Sequence, residues 1–167
     1  MRVVGIWAES RNGVMGAAGR LPWRSALELS MFRAETLGAP VIMGHTTWLS
    51  LPPQSRPLAG RPNIVLTRGP IRPEGAIAVT GMGTALHEAH LHAGVDNTAF
   101  VIGGARTLEL FENHIDAWLV STMDLDVTGD TYGPTLQADA VAVDEQRVID
   151  YSGEGPNFTR TLYRRAD

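Results

Sequence analysis

The stretch Phe100-Val101-Ile102-Gly103-Gly104-Ala105-Arg106-Thr107-Leu108 is an apolar run that stops on two glycines and passes at once into helix-forming residues. A second stretch, Val41-Ile42-Met43-Gly44-His45-Thr46-Thr47-Trp48, repeats the design. Each reads as a strand whose end feeds a helix N-terminus. Such a terminus presents free N–H groups and the positive end of the helix dipole, which suits phosphate. Glycine lets a ligand approach the backbone closely. Taken singly, each stretch is ordinary strand-to-helix punctuation. Taken together, on neighbouring strands, they point to a nucleotide whose diphosphate is gripped from both sides.

Outward from these two places, strand-like and helix-like runs alternate. Residues 3–8 are β-branched and apolar and read as a buried strand. Residues 9–24 carry Gly13, Gly16, Gly19 and Pro22 and read as a long functional loop. Helices are expected over 25–36, 46–51, 83–93 and 105–113, and further strands over 39–43, 63–67, 76–80, 98–102 and 117–125. The tail reads as two strands, 140–149 and 157–164, joined by the turn-rich Asp150-Tyr151-Ser152-Gly153-Glu154-Gly155-Pro156. This order argues an α/β layer around a mostly parallel sheet, and the closing hairpin adds an antiparallel edge.

Composition narrows the function classes. The 167 residues are 44% hydrophobic and 19% charged, a balance that belongs to a globular protein with a real core. There is no cysteine, so disulfides, thiolate metal sites and cysteine nucleophiles are excluded. The net charge is −4, and apart from Arg164-Arg165 no basic cluster offers a footprint for nucleic acid. No apolar run is long enough to span a bilayer, and Met1 to Trp7 lacks the pattern of a signal peptide, so a cytoplasmic protein is expected.

Some tempting patterns fail on spacing. Gly13-x-x-Gly16-x-x-Gly19 is followed by Arg20-Leu21-Pro22-Trp23 and does not open a helix, as a dinucleotide fingerprint must. His87-Glu88-x-His90-x-His92 lacks the helical spacing of a zinc site and reads as a solvated face. Asp124, Asp126 and Asp130 lack the downstream glutamate of a calcium loop and read as strand-end acids. Glu28 keeps two readings. Ser25-x-x-Glu28 matches a capping box, in which the glutamate reaches back to the helix start. Yet Glu28 shares its helix face with Met31 and Phe32, where a carboxylate is costly unless it has a partner or a task.

Seven ordered segments together carry a resemblance. Gly5-Ile6-Trp7-Ala8, Gly13-Val14-Met15-Gly16 and Leu21-Pro22-Trp23 with Glu28 through Phe32 come first. Then come Val41-Ile42-Met43-Gly44 with Thr47-Trp48, Pro57-Leu58-x-Gly60-Arg61-x-Asn63, Val101-Ile102-Gly103-Gly104-Ala105 and Gly129-Asp130-Thr131. In this order they resemble dihydrofolate reductases, most closely the bacterial chromosomal type with a proline-rich segment near Pro52 to Pro57. The resemblance covers nearly the whole chain. It implies one domain over 1–167, with adenosine-binding and loop subdomains. It also implies an eight-stranded mixed sheet with a C-terminal antiparallel hairpin and four flanking helices.

The activity so implied is the NADPH-dependent reduction of 7,8-dihydrofolate to tetrahydrofolate, serving one-carbon metabolism. By resemblance, Glu28, Trp23 and Ser121 belong to the catalytic centre: Glu28 holds the pterin edge, Trp23 orders a water and Ser121 supplies a hydroxyl. Ile6, Ala8, Glu28, Leu29, Phe32, Leu51, Leu58 and Ile102 are implied to bind substrate, with Arg61 on the glutamate tail. The cofactor set is implied to be Ala8, Met15, Gly16, Gly44, His45, Thr46, Thr47, Leu66, Thr67, Arg68, Ile102, Gly103, Gly104, Ala105, Arg106, Thr107 and Thr131. Gly103-Gly104 is implied to be a cis pair and Gly13 to Arg20 a mobile lid. Three departures stand out: His45 replaces a common arginine, Leu108 an aromatic and Ala26 a proline. No metal is expected, and the chain is expected to act as a monomer. The competing readings are a non-catalytic nucleotide-binding paralogue and a related pterin or pyrimidine reductase. Arg61 argues against the latter, since only a substrate with a glutamyl tail needs it.

Overall fold

The computed structural model describes residues 1–70 and 72–166. Position 71 and the last residue of the expected 1–167 domain lie outside the described residues. The chain runs β1 (Arg2–Ser10), β2 (Val14–Gly16), α1 (Ala26–Thr36), β3 (Val41–Gly44), α2 (His45–Ser50), β4 (Asn63–Leu66), β5 (Ile77–Val79), α3 (Met82–Leu91), β6 (Thr98–Gly103), α4 (Ala105–Phe111), β7 (Ala117–Met123), β8 (Thr131–Tyr132), β9 (Ala140–Val148) and β10 (Phe158–Arg165). Short 3-10 turns lie at Pro53–Ser55 and Glu112–His114. Eight strands form one sheet in the order β5-β4-β3-β6-β1-β7-β10-β9. The β1–β6, β3–β4, β3–β6 and β4–β5 ladders are parallel, and β10 pairs antiparallel with both β7 and β9. This is the expected mixed sheet with its closing hairpin. Among the described residues no helix is long and apolar enough to cross a membrane.

The runs of the parallel strands are continuous rather than alternating, the pattern of strands buried on both faces. Val41, Ile42, Met43, Ile64, Val65, Ala99 and Val101 are all fully buried. Residues 9–24 differ from the expected loop. β1 continues to Ser10, and β2 pairs with β8 in a second, two-stranded sheet. Three residues of strand among glycines carry too little periodicity to announce themselves, and their partner lies more than a hundred positions away.

Contacts divide the chain into two compact units, Met1–Gly5 with Thr36–Ile115, and Ile6–Glu35 with the chain from Asp116 onward. In the first, α2, α3 and α4 supply buried Trp48, Ala85, Ala89, Leu108 and Phe111. In the second, Met123, Val148 and Phe158 form a buried cluster, against which Ala8, Trp23, Leu27 and Met31 pack.

The second unit also fixes its loops tightly. Ser10 is fully buried; its hydroxyl donates to Asn12 Oδ1 and accepts from the Val14 N–H. Asn12 in turn bonds the Val127 carbonyl and N–H. Asp130 accepts from the Ala18 N–H and the Thr131 hydroxyl, which hold its carboxyl below the ordinary range. A Cβ on Gly129 would lie 2.3 Å from Val14 Cγ1 and 2.5 Å from the Gly16 carbonyl oxygen. Backbone cannot yield there as a flexible side chain would. Gly129→Ala is therefore expected to open the β2–β8 pairing, and hydrogen exchange at the Asp130 and Gly133 amides, which donate to the Gly16 and Gly13 carbonyls, should quicken by roughly tenfold, near the lower end of overpacking costs. Unchanged exchange would show that the loops part without loss.

Candidate active site

In the first unit, parallel pairing of β3 with β6 sets the two glycine-ended turns side by side. Gly44 and Gly104 are the N-caps of α2 and α4, both extended, and neither helix start is capped by a side chain. A Cβ on Gly44 would stand 2.7 Å from Thr107 Oγ1, and one on Gly104 3.5 Å from Thr47 Oγ1. Glycine thus allows each turn to meet the other's threonine. The Gly103–Gly104 peptide is cis, as the resemblance implies. His45, Thr46 and Thr47 form the first turn of α2, and Ala105, Arg106 and Thr107 that of α4. Leu66 closes β4 beside β3, Thr67 follows it buried, and Arg68 is exposed. Neither Arg68 nor Arg106 makes an ion pair among the described residues. Two uncapped helix starts with two uncommitted guanidinium groups are the donor set a phosphorylated dinucleotide needs.

A second feature of this unit holds Arg61. Asn63 is buried and fastens the turn before β4: its amide donates to the Leu58 and Arg61 carbonyls, and its oxygen accepts from the Leu58 N–H. The Arg61 guanidinium donates to the Ala59 carbonyl at 2.9 Å and to the hydroxyl of the buried Thr36. Gly60 takes φ 73° and its carbonyl accepts from the Gly38 N–H. These contacts fix the fork of Arg61 before any ligand arrives. Leu51, Leu58 and Ile102 are half-buried in the same unit.

Glu28 lies in the second unit. Half of the capping box forms: the Glu28 N–H donates to Ser25 Oγ at 3.1 Å. The carboxylate does something else and accepts from the hydroxyl of Ser121, a buried residue of β7. Burial raises the Glu28 carboxyl above the ordinary range, while the Ser121 hydrogen bond and the positive charge of Arg160 pull it back. Glu28 lines a cavity of about 630 Å³ with Leu21, Trp23, Leu29, Asp150 and Glu154. The β9–β10 turn seats closely here, since a Cβ on Gly155 would lie 3.0 Å from the Arg24 carbonyl.

Ile6 is buried and Ala8 and Phe32 half-buried, whereas Leu29 is 44% exposed. Met15, Gly16 and Thr131 sit half-buried on the β2–β8 pairing. Sequence reading missed Arg160, Thr36 and Glu9. Glu9 accepts from the Trp7 indole at 2.9 Å and fills the place a Cβ on Gly133 would take, 2.1 Å away; burial raises its carboxyl. A charged residue in the alternation of β1 was the available signal. The histidines of the 87–92 run are exposed, with His92 3.6 Å from Glu88. Asp124 and Asp126 pair instead with Arg147 and Arg11.

Residues 2–165 match the family model described as dihydrofolate reductase. The chain belongs to the dihydrofolate reductase family. It is 38% identical to the dihydrofolate reductase of Mycobacterium leprae over 158 residues, covering 92% of this chain and 93% of that one. With the dihydrofolate reductase of Neisseria meningitidis serogroup A it shares 31% identity over 166 residues, 99% of each. The fold superposes on dihydrofolate reductase from Enterococcus faecalis complexed with NADP(H) and RAB-propyl. That match has a TM-score of 0.88 and 25% identity, and covers 99% of this chain and 97% of that one. Family membership makes the chain an oxidoreductase, and its reaction is the reduction of dihydrofolate with NADPH.

Proposed function

We propose that Glu28 anchors the pterin of 7,8-dihydrofolate and promotes its protonation at N5. The observation that carries this is the Glu28 carboxylate itself, turned from its helix cap to Ser121 and lining a cavity. An ionised carboxylate accepts two parallel N–H donors, which the amino and N3–H edge of a pterin provides. From that edge Glu28 cannot touch N5, so it acts through charge and through a water ordered beside Trp23. Ser121 fixes its orientation. When bound, NADPH supplies the hydride that C6 accepts. Ile6, Ala8, Leu29, Phe32, Leu51, Leu58 and Ile102 bind the substrate. Arg61 pairs with the α-carboxylate of the glutamate tail. Following NADPH absorbance with and without dihydrofolate tests the whole reading; oxidation indifferent to dihydrofolate would instead favour a non-catalytic nucleotide binder.

The cofactor residues follow the same logic. Gly44 to Thr47 and Gly103 to Thr107 hold the diphosphate, Leu66 and Thr67 the adenosine side, and Ala8, Met15, Gly16, Ile102 and Thr131 the nicotinamide side. Arg68 and Arg106 meet the 2′-phosphate. Charge-assisted contacts are individually strong, yet both arginines are exposed and screened. NADPH should bind about tenfold more tightly than NADH, the equivalent of one such contact. Titrations with both cofactors measure the ratio, and equal affinity would remove these arginines from the site. We further infer a cytoplasmic monomer that engages no nucleic acid, in keeping with the net charge of −4.

A further inference from the structure

Arg160 lies on β10 directly opposite Ser121 on β7. Residues paired in this way project from the same face of the sheet, with Cβ atoms about 5 Å apart. That face meets α1: Ser121 bonds Glu28, and the Arg160 guanidinium lies 3.3 Å from the Glu35 carboxylate. Glu28 and Glu35 are seven residues apart, hence on one helix face and about 10 Å apart along the axis. The Arg160 side chain is only 12% exposed. One largely buried cation thus serves two carboxylates two turns apart, one bonded to it directly and one attracted through space.

We propose that Arg160 is a positioning residue for Glu28, holding that carboxylate ionised from behind, and that Glu35 sets how much of the charge Glu28 feels. The inference rests on the reading of Glu28 as the pterin anchor. A largely buried guanidinium is screened far less than a surface one, so its field reaches a partner it does not touch. It stays charged at every working pH, so it biases Glu28 without titrating itself. The other groups facing Glu28 are the Ser121 hydroxyl on β7, Arg24 ahead of α1, and Asp150 and Glu154 of the β9–β10 turn. Arg24 and Glu154 are exposed and Asp150 half-exposed, so water screens them more than it screens Arg160. Glu35 competes: while it pairs with Arg160 it draws the guanidinium toward itself and cancels part of its field at Glu28.

The test uses the intact protein with carbon-13 in its glutamate carboxyls, titrated by NMR without ligand; Glu28→Gln assigns the resonance. Arg160→Met should raise the Glu28 midpoint by about one pH unit, the smaller end of charge-partner effects. Arg160→Lys should return it toward the wild-type value. Glu35→Gln should lower it, and this variant carries the test alone if Arg160→Met does not fold. In turnover, Arg160→Met should fall furthest behind wild type in the pH range around the two Glu28 midpoints and close the gap as pH rises, when Glu28 ionises unaided. A Glu28 midpoint unmoved by both Arg160→Met and Glu35→Gln would overturn the inference and leave Arg160 a structural ion pair. Wild-type turnover in Glu28→Gln would instead overturn the reading of Glu28, whatever Arg160 does.

Discussion

Replacing Glu28 with glutamine is expected to lower kcat at neutral pH by about a hundredfold or more, the usual worth of positioned acid–base assistance. The variant keeps the shape of the side chain and the Ser121 contact but loses the charge proposed to anchor the pterin and draw a proton toward N5. The deficit should shrink at low pH, where solvent delivers that proton directly. At high pH the glutamine deficit persists whereas that of Arg160→Met closes, so the two variants separate loss of the carboxylate from loss of its ionisation. Stability should move the other way from activity. Burial raises the folded-state pKa of Glu28 above its unfolded value. Its stabilising contribution is therefore complete below the unfolded value and is lost as pH rises through the folded one. At neutral pH the ionised group costs stability, so the melting temperature of the glutamine variant should hold or rise. A glutamate that served only the capping box would give the opposite pair, a slightly weaker helix and normal turnover. Profiles of kcat against pH for both proteins, with a melting curve for each, decide between them.

Arg61→Leu is expected to raise KM for dihydrofolate by roughly tenfold to a hundredfold, the worth of one charge-assisted bidentate contact. Arg61 is already fixed by the Ala59 carbonyl and the Thr36 hydroxyl, so little ordering entropy is lost when a carboxylate arrives. Lysine at this position should recover only part of the loss, since a point charge cannot reproduce the planar fork. NADPH affinity should stay unchanged, as the turns proposed to hold its diphosphate are built from β3–α2 and β6–α4. Steady-state kinetics with a cofactor titration measure both quantities. A KM for dihydrofolate that does not move would place the glutamate tail elsewhere.

The architecture was legible because its signals are local. Apolar β-branched runs mark strands such as Val41–Gly44 and Thr98–Gly103 whatever surrounds them, and glycine before a helix start marks a turn that needs a bare backbone. The β2–β8 pairing escaped because its information is split between segments that are short, glycine-rich and far apart. Closeness there depends on Gly129 lacking a Cβ, which no window of sequence reveals.

By itself, then, the sequence determined the mixed sheet with its closing hairpin and the two glycine-ended strand-to-helix turns, since propensity, periodicity and glycine act within a few residues. Ser25-x-x-Glu28 was readable as a cap and as a functional carboxylate, and both features of the helix start satisfy local rules. Only the tertiary structure brings Ser121 of β7 to the carboxylate and Arg160 of β10 behind it. Hydrogen bonding and charge act through space over a few ångströms. Residues 28, 121 and 160 become neighbours only when antiparallel pairing sets their strands in register beneath the helix, so the environment of Glu28 is a property of the fold.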